Sequence, residues 1–231
     1  MRKQTKQVKV KNIIIGGGFP VSLQTMWKEP LTMDHDQVLA RIEKFRTLGC
    51  DMIRFAVPRR EDTTYVGEIA RRSSLPIVAD VHFDHKIALA CMEYPIAKVR
   101  INPGNIGSPG KVEEVIKKAM DTNTPLRIGV NGGSLPKSLR GEKDTAIAMV
   151  KAGEMELELC EKYGFSNLVF SLKSSKVDVT VRANELFSEK YDFPLHLGVT
   201  EAGPLVPGTV KNSVAMTLLL SQGIGDTIRV T

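Results

Sequence analysis

Apolar residues in this chain gather into short runs, separated by longer segments in which they recur every three or four positions. The runs are VSLQTM (21–26), DMIRFAV (51–57), PIVADVHF (76–83), AKVRIN (97–102), PLRIGVN (125–131), NLVFSLK (167–173), PLHLGV (194–199) and DTIRVT (226–231). They predict eight strands. Between them, DHDQVLARIEKFRTLG (34–49) has the helical spacing, with Asp34 as N-cap, an apolar stripe of Val38, Ile42, Phe45 and Leu48, and Gly49 as terminator. KVEEVIKKAM (111–120), TAIAMVKAGEMELELCEKYG (145–164), VTVRANELFSEKY (179–191) and NSVAMTLLLSQG (212–223) show the same period. Strands this apolar are buried on both faces, so the alternation predicts a parallel sheet covered by helices, and eight units predict an α/β (β/α)8 TIM barrel spanning 1–231. A doubly wound open sheet is the runner-up, but GGGFP (16–20) precedes the first barrel strand and lacks G-x-G-x-x-G spacing. It reads as a turn. Residues 1–20 then form an extra N-terminal strand or hairpin, with 8–15 plugging the barrel's N-terminal end. DTIRVT carries no following helix to cover it, which predicts a further segment or a partner over that strand.

Composition narrows the class. Of 231 residues, 42% are hydrophobic and 25% charged, as in a soluble globular domain. No apolar run reaches the roughly 20 residues of a membrane span, and the start MRKQTKQVKVKN has no signal-peptide core, so the chain reads as cytoplasmic with no membrane partner. Its net charge of +6 suits an anionic partner. The basic N-terminus resembles a nucleic-acid arm less than a strand with solvated lysines, because Val8, Val10 and Ile13 to Ile15 interleave it and no aromatic residues do. Cys50, Cys91 and Cys160 are scattered, without a C-x-x-C pair, and read as core residues.

In a barrel of this kind the chemistry sits at the C-terminal ends of the strands. Arg54 lies on the second strand, Asp80 and His82 on the third, Arg100 and Asn102 on the fourth, Arg127 and Asn131 on the fifth, Lys173 on the sixth, and Glu201 just beyond the seventh. With a side-chain period of two, Asp80 and His82 share a face, as do Arg100 and Asn102, and Arg127, Gly129 and Asn131. Three arginines and a lysine on four strands point to a phosphate or diphosphate, since guanidinium forks match its oxygens and an ammonium adds a movable charge. The glycine-rich loops NPGNIGSPG (102–110) and NGGSLP (131–136) are placed to aim backbone N–H groups at the same anion. The competing reading pairs these cations with Asp80, Glu201 and helix carboxylates as barrel ties. Asp80, His82, Asp84 and His85 could ligate a metal, but no third ligand has matching spacing, so hydrogen bonding to a ligand is preferred. His196 reads as a satisfied core histidine, and Trp27 either lines the mouth or packs.

These same segments resemble the 4-hydroxy-3-methylbut-2-enyl diphosphate synthases of the methylerythritol phosphate route to isoprenoids. IVADVHFD, KVRINPGNIG, LRIGVNGGSL, SLKSS, PLHLGVTEAGP and GIGDTIRVT are similar to that family's barrel blocks, in order. The resemblance implies reductive ring opening of 2-C-methyl-D-erythritol 2,4-cyclodiphosphate, with electrons from a [4Fe-4S] cluster and ferredoxin or flavodoxin as donor. It implies a homodimer in which a separate C-terminal iron-sulfur domain carries the cluster, and places no metal in this chain. By motif it assigns Arg54, Arg100, Arg127 and Lys173 to the diphosphate, Asp80, His82 and Asn131 to substrate contacts, and Glu201 to acid/base catalysis of water loss; Asn102, beside Arg100 at the strand end, is a further expected substrate contact. The segment LQTMWKEP departs from the family's Ser-Met-Thr-Asn-Thr. The expectation is a substrate-binding barrel that is inactive alone. A pterin-binding transferase barrel and a non-catalytic anion-binding module remain the alternatives.

Overall fold

A computed structural model describes residues 2–102, 106, 108–139 and 141–230. Two short strands, β1 (Val8–Val10) and β2 (Ile13–Ile15), pair antiparallel about a turn at Lys11, whose φ is 55°. The barrel strands follow as β3 (Ser22–Met26), β4 (Met52–Ala56), β5 (Ile77–Val81), β6 (Lys98–Ile101), β7 (Leu126–Asn131), β8 (Leu168–Lys173), β9 (His196–Leu197) and β10 (Thr227–Ile228). Between them run α1 (His35–Thr47), α2 (Asp62–Arg72), α3 (His85–Cys91), α4 (Pro109–Asp121), α5 (Thr145–Lys162), α6 (Val177–Lys190) and α7 (Leu205–Ser221). The sheet order is β8-β7-β6-β5-β4-β3-β10-β9, all parallel, and a bridge between Phe170 and Leu195 brings its two ends together as a nearly closed barrel. This is the (β/α)8 TIM barrel that the alternation predicts.

Outward-facing Ile53, Phe55, Val99, Ile128, Phe170 and Leu172 meet helix residues such as Ile42, Val66, Ile116 and Phe187 in one continuous core. Each such side chain contributes roughly 1.5–3 kcal/mol by leaving water. The helices start where the sequence supplies caps: Asp34 accepts from the Asp36 and Gln37 N–H groups at 3.0 and 3.3 Å, and Asp144 caps α5 in the same way.

Several expectations need correction. Leu48 is 77% exposed, so the α1 stripe stops at Phe45. The seventh and eighth strands shrink to two residues each, because Gly198 and Gly225 carry positive φ and interrupt the extended backbone on either side. The last helix starts at Leu205 rather than Asn212. Pro207 is tolerated there because it lies in the first turn, where its missing N–H has no partner to lose. That helix exposes Val206, Val210, Val214 and Leu218 along one side. Helices α2 and α3 are absent from the predicted set: the buried face of α2 mixes Val66, Ile69 and Ala70 with Asp62, Thr63 and Gly67, and α3 is only seven residues long.

At the N-terminal end of the barrel, Val8, Val10 and Ile15 of the hairpin pack on Met52, Val78, Ala97 and Val169. The basic residues around them are docked rather than only solvated. Arg2 pairs with Asp226 at 3.1 Å, the Lys6 N–H donates to the Asp192 carbonyl at 2.7 Å, and Lys11 Nζ donates to the Ser73 carbonyl at 3.3 Å. Asp226 also accepts from Thr5 Oγ1 at 3.1 Å and from the Leu195 N–H at 2.9 Å, tying the N-terminal segment to the loops before β9 and β10. Among the described residues, no helix is long and apolar enough to cross a membrane.

Candidate functional site

Strand register decides which side chains face the barrel axis. Asp80 lies opposite Ala56 and Arg100, Arg100 opposite Arg127, and Asn131 opposite Lys173, while Thr227 is paired with both Ser22 and His196. Alternation then points Arg54, Asp80, Lys98, Arg100, Arg127, Lys173 and Arg229 inward, and all seven are buried. Six are cationic types and one is a carboxylate.

Asp80 holds part of this charge. Arg100 Nη1 donates to Asp80 Oδ1 at 2.9 Å, and Arg54 Nε lies 3.3 Å from Oδ2. His82 Nε2 sits 3.2 Å from Asp80 Oδ2 and 3.1 Å from Arg100 Nη1, so the half-exposed ring can donate to the carboxylate or accept from the guanidinium, but not both with one nitrogen. Burial alone would push the Asp80 carboxyl up. The His82 contact and the guanidiniums of Arg54, Arg100 and Arg127 outweigh it and hold Asp80 well below the usual carboxylate range. Gly129 makes this geometry possible, because a Cβ there would stand 2.7 Å from Arg100 Nε as that side chain crosses from β6 over β7.

Arg127, Lys173 and Lys98 make no ion pair with Asp80. Arg127 is 2% exposed, and among the described residues its Nε and Nη1 find no hydrogen-bond acceptor. Lys173 Nζ reaches only the Leu197 carbonyl, at 3.4 Å, and Lys98 Nζ only Met52 Sδ, also at 3.4 Å. Burial first, and repulsion from neighbouring arginines second, push Arg127, Lys173 and Lys98 well below their ordinary values. Burial likewise pulls Arg54 down to about 9, opposed only in part by Asp80. Each unsatisfied buried donor costs about 1–3 kcal/mol. The barrel-tie reading therefore accounts for Arg54 and Arg100 but not for Arg127 or Lys173.

The other sequence candidates fall around this cluster. The Asn102 amide donates to Ser134 Oγ at 3.2 Å, and Asn131 closes β7 beside Lys173. In the NGGSLP loop, Gly132 N–H is taken by the Lys173 carbonyl and Ser134 N–H by the Asn131 carbonyl, so these two donors serve the loop itself. In NPGNIGSPG, residues 103–105 and 107 lie outside the described residues. Asp84 caps α3 through the Lys86 N–H, and His85 lies between Asp84 and Glu114, away from Asp80. His196 is buried as expected but is not satisfied: neither ring nitrogen has a partner.

Glu201 stands apart from the buried cluster. It is exposed, with φ of 50°, and its neighbours are fixed: Val199 N–H donates to Asn212 Oδ1 at 2.9 Å, Thr200 N–H to the Ser174 carbonyl at 3.2 Å, and Ala202 is buried against Val199 and Ala215. Among the described residues its carboxylate makes no ion pair.

Arg229, Lys98 and Met26 also border the cluster, and the sequence reading passed over them. Arg229 and Thr227 share a face two residues apart, as do Lys98 and Arg100, so the period-two pattern contained both signals. Met26 contacts Arg54 Nη2 at 3.0 Å and Arg229 Nη1 at 3.1 Å through its sulfur. A cleft of about 420 Å3 opens there, bounded by Met26, Trp27, Lys28, Glu29, Ala56 and Pro58, beside the basic cluster rather than over it. Trp27 both lines it and packs, its ring stacked 5.4 Å from Phe55.

The chain is 47% identical to the 4-hydroxy-3-methylbut-2-en-1-yl diphosphate synthase (flavodoxin) of Treponema denticola, over 96% of this chain and 63% of that protein. It is 45% identical to the enzyme of the same name from Thermodesulfovibrio yellowstonii, over 100% of this chain and 66% of the relative. The chain thus spans less than two thirds of the length of each. Among solved structures, dihydropteroate synthase of Yersinia pestis superposes with a TM-score of 0.70 at 12% identity, covering 96% of this chain and 90% of that one. The 3-dehydroquinate dehydratase of Geobacillus kaustophilus gives 0.65 at 14%, covering 100% and 90%. At these identities the likeness is one of fold alone. The family model described as the GcpE TIM-barrel domain matches residues 5–231, and the chain belongs to that family.

Proposed function

We propose that the barrel binds 2-C-methyl-D-erythritol 2,4-cyclodiphosphate as the substrate-binding part of a 4-hydroxy-3-methylbut-2-enyl diphosphate synthase, with flavodoxin as electron donor. The observation that carries this reading is the surplus of buried cations over one carboxylate, above all the unpaired Arg127 Nε and Nη1. A diphosphate supplies the missing acceptors, and its charge favours the protonated form of Lys173. In this reading Arg54, Arg100, Arg127, Lys173 and Arg229 bind the phosphates. Asp80 orients Arg54 and Arg100, and His82, Asn102 and Asn131 contact the carbon skeleton. Glu201 moves the proton that lets the hydroxyl leave as water, from a loop fixed on both sides.

The residues of this chain do not fit the [4Fe-4S] cluster that the resemblance implies. Cys91 and Cys160 are buried in the core and burial pushes both thiols up to about 12, whereas a cluster needs thiolates. Among the described residues no three His, Cys, Asp or Glu side chains gather as metal ligands. The cluster's ligands therefore belong outside these residues. The pterin-transferase alternative rests on fold alone, at 12% identity.

Calorimetric titration separates the readings. The cyclic diphosphate should bind, while 2-C-methyl-D-erythritol without phosphates and a pterin diphosphate should not. Preferential binding of the pterin diphosphate would overturn the proposal. In the assembled enzyme, Glu201→Gln should keep substrate affinity and lower turnover by about 10² to 10⁴; normal turnover would remove Glu201 from the chemistry.

A further inference from the structure

Helix α5 carries a carboxyl group that the reading above does not use. Glu156 faces the loop after β7, and its Oε2 is buried without a hydrogen-bond partner. It borders a void of about 10 Å3 whose walls include Asn102, Asn131, Ser134 and Val130. A void of that size admits one water, and a buried water requires two to four polar partners. Glu156, Asn102, Asn131 and Ser134 supply them. Among the described residues, the other walls of the void, Val130, Pro136 and Ala152, have apolar side chains.

We propose that Glu156 is a positioning residue for the barrel mouth: through one buried water its carboxyl group holds Asn131 and Ser134, and through Ser134 the Asn102 amide. The last link is direct, since Asn102 Nδ2 donates to Ser134 Oγ at 3.2 Å. Ser134 is in turn fixed to Asn131 by its own N–H. Burial pushes the Glu156 carboxyl up to about 7, so a proton is retained on it into the neutral range and the group can donate as well as accept. Two asparagines on adjacent strands thus share one support, which sits behind them and away from the cations. The proposal rests on the reading that Asn102 and Asn131 contact the carbon skeleton while the arginines hold phosphate. Its consequence is selectivity: Glu156 governs affinity for the cyclic diphosphate but not for inorganic diphosphate.

Glu156→Leu fills similar space without polar atoms, and Glu156→Gln keeps two polar atoms. Titrated with both ligands, Glu156→Leu should bind the cyclic diphosphate about tenfold more weakly and inorganic diphosphate unchanged, and Glu156→Gln should recover most of the loss. Unchanged affinity for both ligands in Glu156→Leu would overturn the proposal, as would equal loss of both, which marks general damage to the mouth. Failure of Glu156→Gln to recover would overturn it as well. If the parent chain binds neither ligand, the substrate reading falls and this inference with it; if it binds both and the ratio does not move, only this inference falls. A high-resolution crystal structure provides an arm independent of ligand: a water within hydrogen-bond distance of Glu156 Oε2 and of Ser134 or Asn131 is expected, and a dry contact there would contradict it.

Discussion

The two ends of this barrel treat charge in opposite ways. At the N-terminal end, apolar residues of the hairpin close the barrel and several charged groups are matched: Asp226 accepts from Arg2, Thr5 and the Leu195 backbone, and Asp51 accepts the Leu23 N–H at 2.7 Å, with Lys98, at the start of β6 against Met52, as an exception. At the C-terminal end, cations are buried together with a single carboxylate and donors are left without acceptors. At Asp226 burial still pushes the carboxyl up, and the Leu195, Thr5 and Arg2 contacts offset part of that cost. At the mouth the donors lack such partners, and under the proposed function a bound anion would supply them. Unmatched buried charge is costly, which is why that reading looks for its ligand at this end.

Substitutions at each end should sharpen this contrast. The largest loss is expected for Val10→Asp, which buries an unpaired carboxylate in the plug and should cost about 4 kcal/mol or more in chemical denaturation. Asp80→Asn should follow at about 3–5 kcal/mol, because it leaves Arg54 and Arg100 without their counter-charge. The same pair sets an acid limit. Asp80 is held below its unfolded value, so its contribution is complete above about pH 4 and is lost as pH falls toward the folded value. A stability profile flat through that range in the parent chain would contradict the pairing. Asp226→Asn removes charge from a matched site and should cost about 1–3 kcal/mol. The smallest effect should have the opposite sign: Lys98→Met replaces an amine that burial holds well below its ordinary value and should stabilise the unliganded chain by about 1 kcal/mol. That gain is present at neutral pH and shrinks as pH rises toward the ordinary lysine value of about 10.4.

Much of this contrast was legible from pattern alone. Long apolar strands such as NLVFSLK and strongly capped helices such as that begun by Asp34 specify their own structure, and period-two alternation placed Arg100 and Arg127 on the axis before any coordinates. Other features depended on three-dimensional neighbours. The extent of β9 and β10 is set by glycine dihedrals and by which strand each one meets, and neither is encoded in an apolar run. Helix α2 hides because Asp62, Thr63 and Gly67 interrupt the apolar stripe of Val66, Ile69 and Ala70. Glu156 could not be singled out, since a glutamate on an amphipathic helix usually faces solvent and only the loop folded over it makes it different. The pairing of Asp80 with two arginines, leaving Arg127 unpaired, is likewise a matter of register between strands.

The central claim is that the unmatched charge at the mouth is reserved for a diphosphate. Calorimetric titration of 2-C-methyl-D-erythritol 2,4-cyclodiphosphate into the parent chain and into Arg127→Met, each at low and high salt, tests it most directly. Removing Arg127 should weaken binding by about tenfold or more, narrow the difference between the two salt concentrations, and leave the folded chain at least as stable as before. Equal affinity in the two proteins, or a clear loss of stability without the ligand, would show that Arg127 is a structural tie and that the mouth holds no charge in reserve.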